Sequence, residues 1–300
     1  MVYFERALSL ASKQEEAEVY AVHRHAAGQR GWCGMIHVRE YGTSGPFVAV
    51  LHGGPGAPRY MAPVARRLGD AFRVLEPLQR GSDQEALTVA RHVADLHEVI
   101  ASCCGGSRVV LLGHSWGAML ALAYAAEHGD RVAAVVLIGS GTFTVAARQR
   151  FRAILDARTD ESVRHRLRAL DLECPDPDAR LARRARLMLP LYSYDIGSSD
   201  PGFEGCDARA HQQTWDDMMR LQEEGVYPRA FETIRAPVLM LHGAADPHPG
   251  AMIYASLEPW IPQIEYVEWE HCGHYPWLEP AVRDEFFRTL IKWLQQQTDT

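Results

Sequence analysis

A serine, an aspartate and a histidine stand in this chain in an order that could run nucleophilic catalysis. Ser115 lies in Gly113-His114-Ser115-Trp116-Gly117, directly after the apolar run 107–112 and directly before Ala118-Met119-Leu120-Ala121-Leu122-Ala123-Tyr124. A buried strand running into a helix through such a pentapeptide is a nucleophile elbow. The serine at the turn is held in a strained backbone conformation that lifts its hydroxyl clear of the sheet, and glycines two positions either side leave room for the bend. A serine hydroxyl is a poor nucleophile at neutral pH, so it needs a base to take its proton and a third group to orient that base. The segment 264–269 reads as a strand ending in Glu270-His271-Cys272-Gly273-His274, and His274, after a glycine at the start of a loop, is the expected base. His271 is its rival, because it stands at the strand end and could point either way. Upstream, 237–243 reads as a buried strand and Ala244-Ala245-Asp246-Pro247-His248-Pro249 as the rigid loop leaving it. That puts Asp246 at the carboxyl end of the strand, where parallel sheets place ligands and catalytic groups. Charge developing on a substrate oxygen needs donors too. The strand 47–51 opens into His52-Gly53-Gly54-Pro55-Gly56, so the unshielded N–H of Gly54, with that of Trp116, is the expected oxyanion hole. His52 and His114 read as braces of their loops, His248 as a loop residue, and Arg80 as half of a structural ion pair.

These residues need a scaffold, and the rest of the chain alternates strand and helix in the way that builds one. The class is α/β, a mostly parallel sheet with helices on both faces. A strand pair over 18–23 and 34–39 is expected at an antiparallel edge, followed by strands over 47–51 and 72–76, a helix over 87–100, a strand over 108–112, the elbow helix, and a strand over 132–138. From about Gly141 to Ile234 the periodicity becomes helical and charged, and Pro237 resumes the sheet. The domain reading is a core of residues 1–140 and 235–300 with a helical lid, 141–234, inserted after the sixth strand, where it would cover Ser115 and exclude water. Within it, Phe143, Tyr192, Tyr194, Phe203 and Trp215 could line a pocket or form the insert's own core. The stretch Arg180-Leu181-Ala182-Arg183-Arg184-Ala185-Arg186 reads as a solvated face balanced by Asp171, Glu173, Asp176 and Asp178 rather than as an anion patch.

Together, His52-Gly53-Gly54-Pro55-Gly56, Gln79-Arg80-Gly81-Ser82, the pentapeptide around Ser115, Asp246 and Gly273-His274 resemble an α/β-hydrolase of the proline iminopeptidase type, from about Val19 to Leu294. The resemblance implies Ser115, Asp246 and His274 as the triad, in that fold's order Ser, Asp, His. The chain departs from the family pattern in three places. Leu78 and Asp83 flank Gln79-Arg80-Gly81-Ser82 where the family has aspartate and glycine, and His114 stands where the family has glycine. The family's Trp-Glu-x-Glu, which helps hold a substrate amine, has Trp215-Asp216-Asp217-Met218 as its nearest counterpart. Trp215, Asp216 and Asp217, with Phe143 and Tyr192, are therefore the candidate substrate contacts.

Composition bounds the partners. A chain of 300 residues with 47% hydrophobic content can fill a large core, and a formal net charge of -7 without a basic run argues against nucleic acid. The start, Met1-Val2-Tyr3-Phe4-Glu5-Arg6, lacks the pattern of a targeting signal, and no apolar run is long enough to span a membrane. The six cysteines read as reduced thiols of a cytoplasmic protein, and His271-Cys272-Gly273-His274 does not have zinc-site spacing. No metal or cofactor is implied. The expectation is a serine hydrolase that cleaves an ester or amide of a small molecule or short peptide. A proline iminopeptidase-like aminopeptidase is the alternative, and a non-catalytic ligand receptor on the same fold the alternative from another class. Oligomeric state is not legible.

Overall fold

In the computed structural model, which describes residues 32–33, 36–197, 201–203 and 205–298, the alternation of strand and helix builds one sheet. Its strands are β1 (Trp32–Cys33), β2 (Ile36–Tyr41), β3 (Phe47–Leu51), β4 (Arg73–Leu78), β5 (Val109–His114), β6 (Val132–Ile138), β7 (Val238–Gly243) and β8 (Ile264–Trp269), in the order β1-β2-β4-β3-β5-β6-β7-β8. β2 is antiparallel to both β1 and β4, and from β4 onward the sheet is parallel. The strand expected over 18–23 lies outside the described residues. β5 and β7 are buried at every position, which is why they read as unbroken apolar runs rather than alternating ones.

The helices are α1 (Ala62–Leu68), α2 (Val89–Cys103), α3 (Trp116–Glu127), α4 (Val145–Arg158), α5 (Glu161–Glu173), α6 (Pro177–Tyr192), α7 (Ala208–Glu223), α8 (Gly250–Leu257) and α9 (Arg283–Thr298). α2 and α3 pack Leu96, Ile100, Met119 and Tyr124 on one face of the sheet. α1 and α9 pack Leu68, Phe286 and Leu290 on the other. α4 to α7 form the run between β6 and β7, and no strand occurs among the described residues of 141–234. Their starts are chemically specified: Thr144, Asp160, Asp176 and Asp207 each accept a backbone N–H of the first turn that has no acceptor within its own helix. Among the described residues no helix is long and apolar enough to cross a membrane.

Topology decides where chemistry can sit. From β3 the chain goes to β4 on one side and then to β5 on the other, so the strand order reverses there and a crevice opens at the carboxyl ends of β3 and β5. Leu51 pairs with Gly113, so the loops beginning at His52 and Ser115 leave the sheet side by side.

Candidate active site

Ser115 is the residue between β5 and α3. Its backbone has φ 54 and ψ -117, a left-handed conformation that costs an L-residue about 1–3 kcal/mol. The glycines around it make the bend possible: a Cβ on Gly113 would strike the carbonyl of Gly117, and one on Gly117 the carbonyl of Leu51. The side chain of Ser115 caps no backbone N–H of α3, so its Oγ is left to the cavity it lines. Trp116 N is the first N–H of α3 and has no acceptor within that helix. Gly54, with φ 42, lines the same cavity from the loop after β3.

The β7 and β8 loops bring Asp246 and His274 together. His274 Nδ1 lies 2.6 Å from Asp246 Oδ2. Burial pushes the Asp246 carboxyl up, but His274, His248 and His242 around it outweigh burial and hold it well below the usual carboxylate range. Burial likewise drives His274 below its ordinary value, and the Asp246 charge offsets only part of this. The outcome is an ionised carboxylate beside a neutral imidazole, with Nδ1 donating and Nε2 carrying the lone pair. No Ser115–His274 hydrogen bond is closed among the described residues, although both groups line the one cavity. His271 is exposed and lies against the Tyr194 ring, 5.0 Å between centroids.

His248 is the residue here that the sequence undersold. Its backbone N–H and Nδ1 both reach Asp246 Oδ1, at 2.8 and 2.9 Å, and its ring stacks on His274 with centroids 4.8 Å apart. Asp246, His248 and His274 offer possible ligand atoms within 4.8 Å of one another. As arranged, Nδ1 of each histidine is engaged by the carboxylate, so the trio forms a hydrogen-bonded set centred on Asp246.

The loops are tied to one another. Gly53 N–H donates to Tyr60 Oη (2.6 Å), Tyr60 O–H donates to His114 Nδ1 (2.7 Å), and His114 Nε2–H donates to the carbonyl of His274 (2.8 Å). That direction follows from the Gly53 N–H donor at one end and the His274 carbonyl acceptor at the other, and burial, which holds His114 well below its ordinary value, keeps the ring neutral. Gln79 is a second tie. Its carbonyl accepts from the Trp116 indole (2.8 Å), its amide donates to His52 O (2.8 Å), and its backbone N–H donates to His52 Nε2 (3.2 Å). Buried Glu279 is a third, accepting from the N–H groups of Gly273, Tyr194 and Asp195 at 3.0, 2.8 and 2.7 Å. Tyr60 and Glu279 carried no motif to mark them. Gln79 did, within Gln79-Arg80-Gly81-Ser82, where Arg80 pairs with Asp95 at 2.6 Å.

The cavity above Ser115 measures about 430 Å³. α4 contributes Phe151 and Leu155, α6 contributes Met188 and Tyr192, and α7 contributes His211 and Trp215. Tyr192 and Trp215 are thus brought to the site, as are His114, His248 and His274. Three expected contacts are not. Phe143 packs edge-on against Phe231 (5.3 Å) in the core. Asp217 accepts from Val89 N–H (2.8 Å) at the start of α2, and Asp216 accepts from Gln212 Nε2 (2.7 Å). The error is one of helical phase: with Trp215 facing the cavity, the next two residues are rotated away by about 100° and 200°. No Asp or Glu among the described residues lines the cavity.

Residues 48–285 match the alpha/beta hydrolase family. Over 259 residues the chain is 31% identical to a protein of Streptomyces coelicolor named probable proline iminopeptidase, covering 71% of this chain and 76% of that one. Over 276 residues it is 24% identical to the 2-hydroxy-6-oxo-6-(2'-aminophenyl)hexa-2,4-dienoic acid hydrolase of Metapseudomonas resinovorans, covering 87% of each. Among solved structures, that of VinJ superposes with a TM-score of 0.67 at 17% identity, over 91% of this chain and 99% of that one.

Proposed function

The chain belongs to the alpha/beta hydrolase family, and on that premise we propose that it is a serine hydrolase that cleaves a small, largely apolar ester through an acyl-enzyme. The observation that carries the reading is Ser115, held in a left-handed conformation at the mouth of β5, facing a cavity shared with a histidine whose Nδ1 is 2.6 Å from a buried carboxylate. Ser115 Oγ attacks the carbonyl carbon while its proton passes to His274 Nε2. Asp246 holds the tautomer and steadies the imidazolium through Nδ1–H. The oxyanion takes the N–H groups of Gly54 and Trp116. Collapse breaks the bond to the leaving group, which receives the proton from Nε2. Water then repeats the sequence on the acyl-enzyme and releases the acid and free Ser115. In the same reading the helices of 141–234 act as a lid.

The likeness to a protein named proline iminopeptidase favours an amide with a free amino terminus instead. Such a substrate needs acidic groups around its ammonium, because an unpaired charge in a closed pocket costs several kcal/mol. Asp216 and Asp217 are engaged elsewhere and no acid lines the cavity, which favours the ester. The test is a fluorophosphonate probe together with a short-chain activated ester. A covalent adduct on Ser115, absent in Ser115→Ala, with turnover of the ester above that of proline amides, is the expected outcome. Absence of both adduct and turnover would leave the fold as a ligand receptor.

A further inference from the structure

The arginine-rich stretch of α6 is divided by the structure. Arg180 Nη1 donates to the carbonyl of Cys174 (3.1 Å), and Arg183 is exposed. Arg184 behaves differently: it lines the cavity, on the same face of α6 as Leu181, Ala185, Met188, Leu189 and Tyr192. These positions recur at three- and four-residue spacing, so they form one stripe along the helix. The stripe has a fixed catalytic end, because the carbonyl of Tyr192 accepts the backbone N–H of His274 (2.8 Å) and the two rings lie 5.5 Å apart. Arg184 sits eight residues before Tyr192, which is about 12 Å along the axis at 1.5 Å per residue.

Charge makes the position informative. His114, His211 and His274, which share the cavity wall, are all held below their ordinary values by burial and stay neutral. The wall carries no acid among the described residues, so Arg184 supplies a fixed positive charge to an otherwise aromatic and aliphatic chamber. Its ion-pair partner, Asp171 on α5, is 4.0 Å away and both side chains are more than half exposed, which leaves the guanidinium fork able to take a better acceptor. The charge is felt at the Tyr192 hydroxyl, where it opposes burial and Asp246, both of which push that phenol up.

We propose that the cavity selects an ester carrying a carboxylate at the end remote from the scissile bond, with Arg184 reading that carboxylate and α6 setting its distance from Ser115. This rests on the serine-hydrolase reading above. The guanidinium is a specificity-determining contact that holds the substrate's far end, while the apolar stripe desolvates the chain between.

The test compares aryl monoesters of four-, six- and eight-carbon dicarboxylic acids with the matched neutral fatty-acyl esters. The expected kcat/KM ratio, acid over neutral, is at least about tenfold at the best length. It should fall towards one in Arg184→Gln, survive in part in Arg184→Lys, and shrink as salt rises from about 0.05 to about 0.5 M. A ratio unchanged by Arg184→Gln, or no preference at any length while the neutral esters turn over, overturns the proposal. Absence of turnover and of a Ser115 adduct would instead sink the hydrolase reading. The arginine is then judged by titrating Ser115→Ala with monomethyl suberate, whose Kd should rise at least about tenfold when Arg184→Gln is added. An equal Kd overturns the proposal without reference to catalysis.

Discussion

The elbow helix and the helical insert are built by opposite rules. α3 is buried along nearly its whole length, from Trp116 to Ala125, whereas α5 buries no residue, α4 only Ala147 and α6 only Leu189. The loops that present Ser115, Gly54 and His274 are fixed by the sheet and again by Tyr60, His114, Gln79 and Glu279. The insert is hydrogen-bonded to that frame too, as at Asp207, whose N–H donates to Gly56 O (2.7 Å) and whose Oδ2 accepts from Ser82 N–H (2.6 Å), but α4 to α6 bury few side chains of their own. Reacting groups are over-determined, because their geometry must hold within fractions of an ångström. Groups that choose the substrate hang from a frame that tolerates change. Damage to the first region should therefore destroy turnover, and damage to the second should redirect it.

The largest test of that division is at the triad. Ser115→Ala and His274→Ala should each lower kcat by about 10⁴-fold or more, while His271→Ala, on an exposed ring outside the cavity, should stay within about threefold of the parent. Steady-state kinetics on one activated ester checks all three. A comparable loss in His271→Ala would move the base.

The next effect separates holding from reacting. Gln79→Ala removes the acceptor of the Trp116 indole and a donor to His52 O, loosening the two chain segments that carry Trp116 N–H and Gly54 N–H at once. We expect kcat to fall about 10–10²-fold with KM little changed, since an oxyanion hole acts on the transition state. Gln79→Glu keeps the carbonyl acceptor and should recover part of the loss. A rise in KM alone would place Gln79 outside the bracing of the oxyanion loop.

How much of this was legible follows the same divide. Core strands announce themselves because burial on both faces demands apolar runs, and the elbow announces itself because the bend at Ser115 admits only glycine two positions either side. His52 and His114 could be read as braces because each adjoins a functional backbone. Tyr60 and Glu279 could not, since what marks them is a partner 54 residues away in one case and backbone N–H groups 6 to 85 residues away in the other. In the insert, sequence neighbours mislead. Trp215 faces the cavity and Asp217 the start of α2, and nothing in Trp215-Asp216-Asp217 states the helical phase that parts them.

Acid should act on the first region, with a smaller and graded effect. His274 must be neutral to accept the Ser115 proton, and burial lowers its value, so the acid limb of kcat/KM should fall below the ordinary histidine value of about 6.5. Stability has its own window. Burial lowers His52 and His92 to about 4, beneath their unfolded values, so between roughly pH 6.5 and 4 the unfolded chain binds more protons. Stability is then full above about pH 6.5 and declines as pH falls, by at most about 1.4 kcal/mol per histidine per pH unit. Denaturant midpoints from pH 8 to 5 check this. A curve flat over that range would mean that neither ring is held neutral by the fold.

The smallest expected effect is the sharpest check on the insert. On α5, Arg168 Nη2 lies 2.6 Å from Glu161 Oε1, a geometry that would be strong in a dry interior. Both side chains are largely exposed, however, at 62% and 75%, so water and salt screen the pair and the long side chains lose entropy in making it. Arg168→Ala should therefore shift Tm by less than about 2 °C and leave kcat/KM within about twofold. Arg80→Ala is the matched control from the core, since it takes from Asp95, at 9% side-chain exposure, the guanidinium 2.6 Å away and leaves it Arg91 at 3.6 Å, and it should lower Tm several times further. Equal shifts in the two variants would mean that the insert is locked as firmly as the sheet, and the division between holding chemistry and choosing substrate would fall with it.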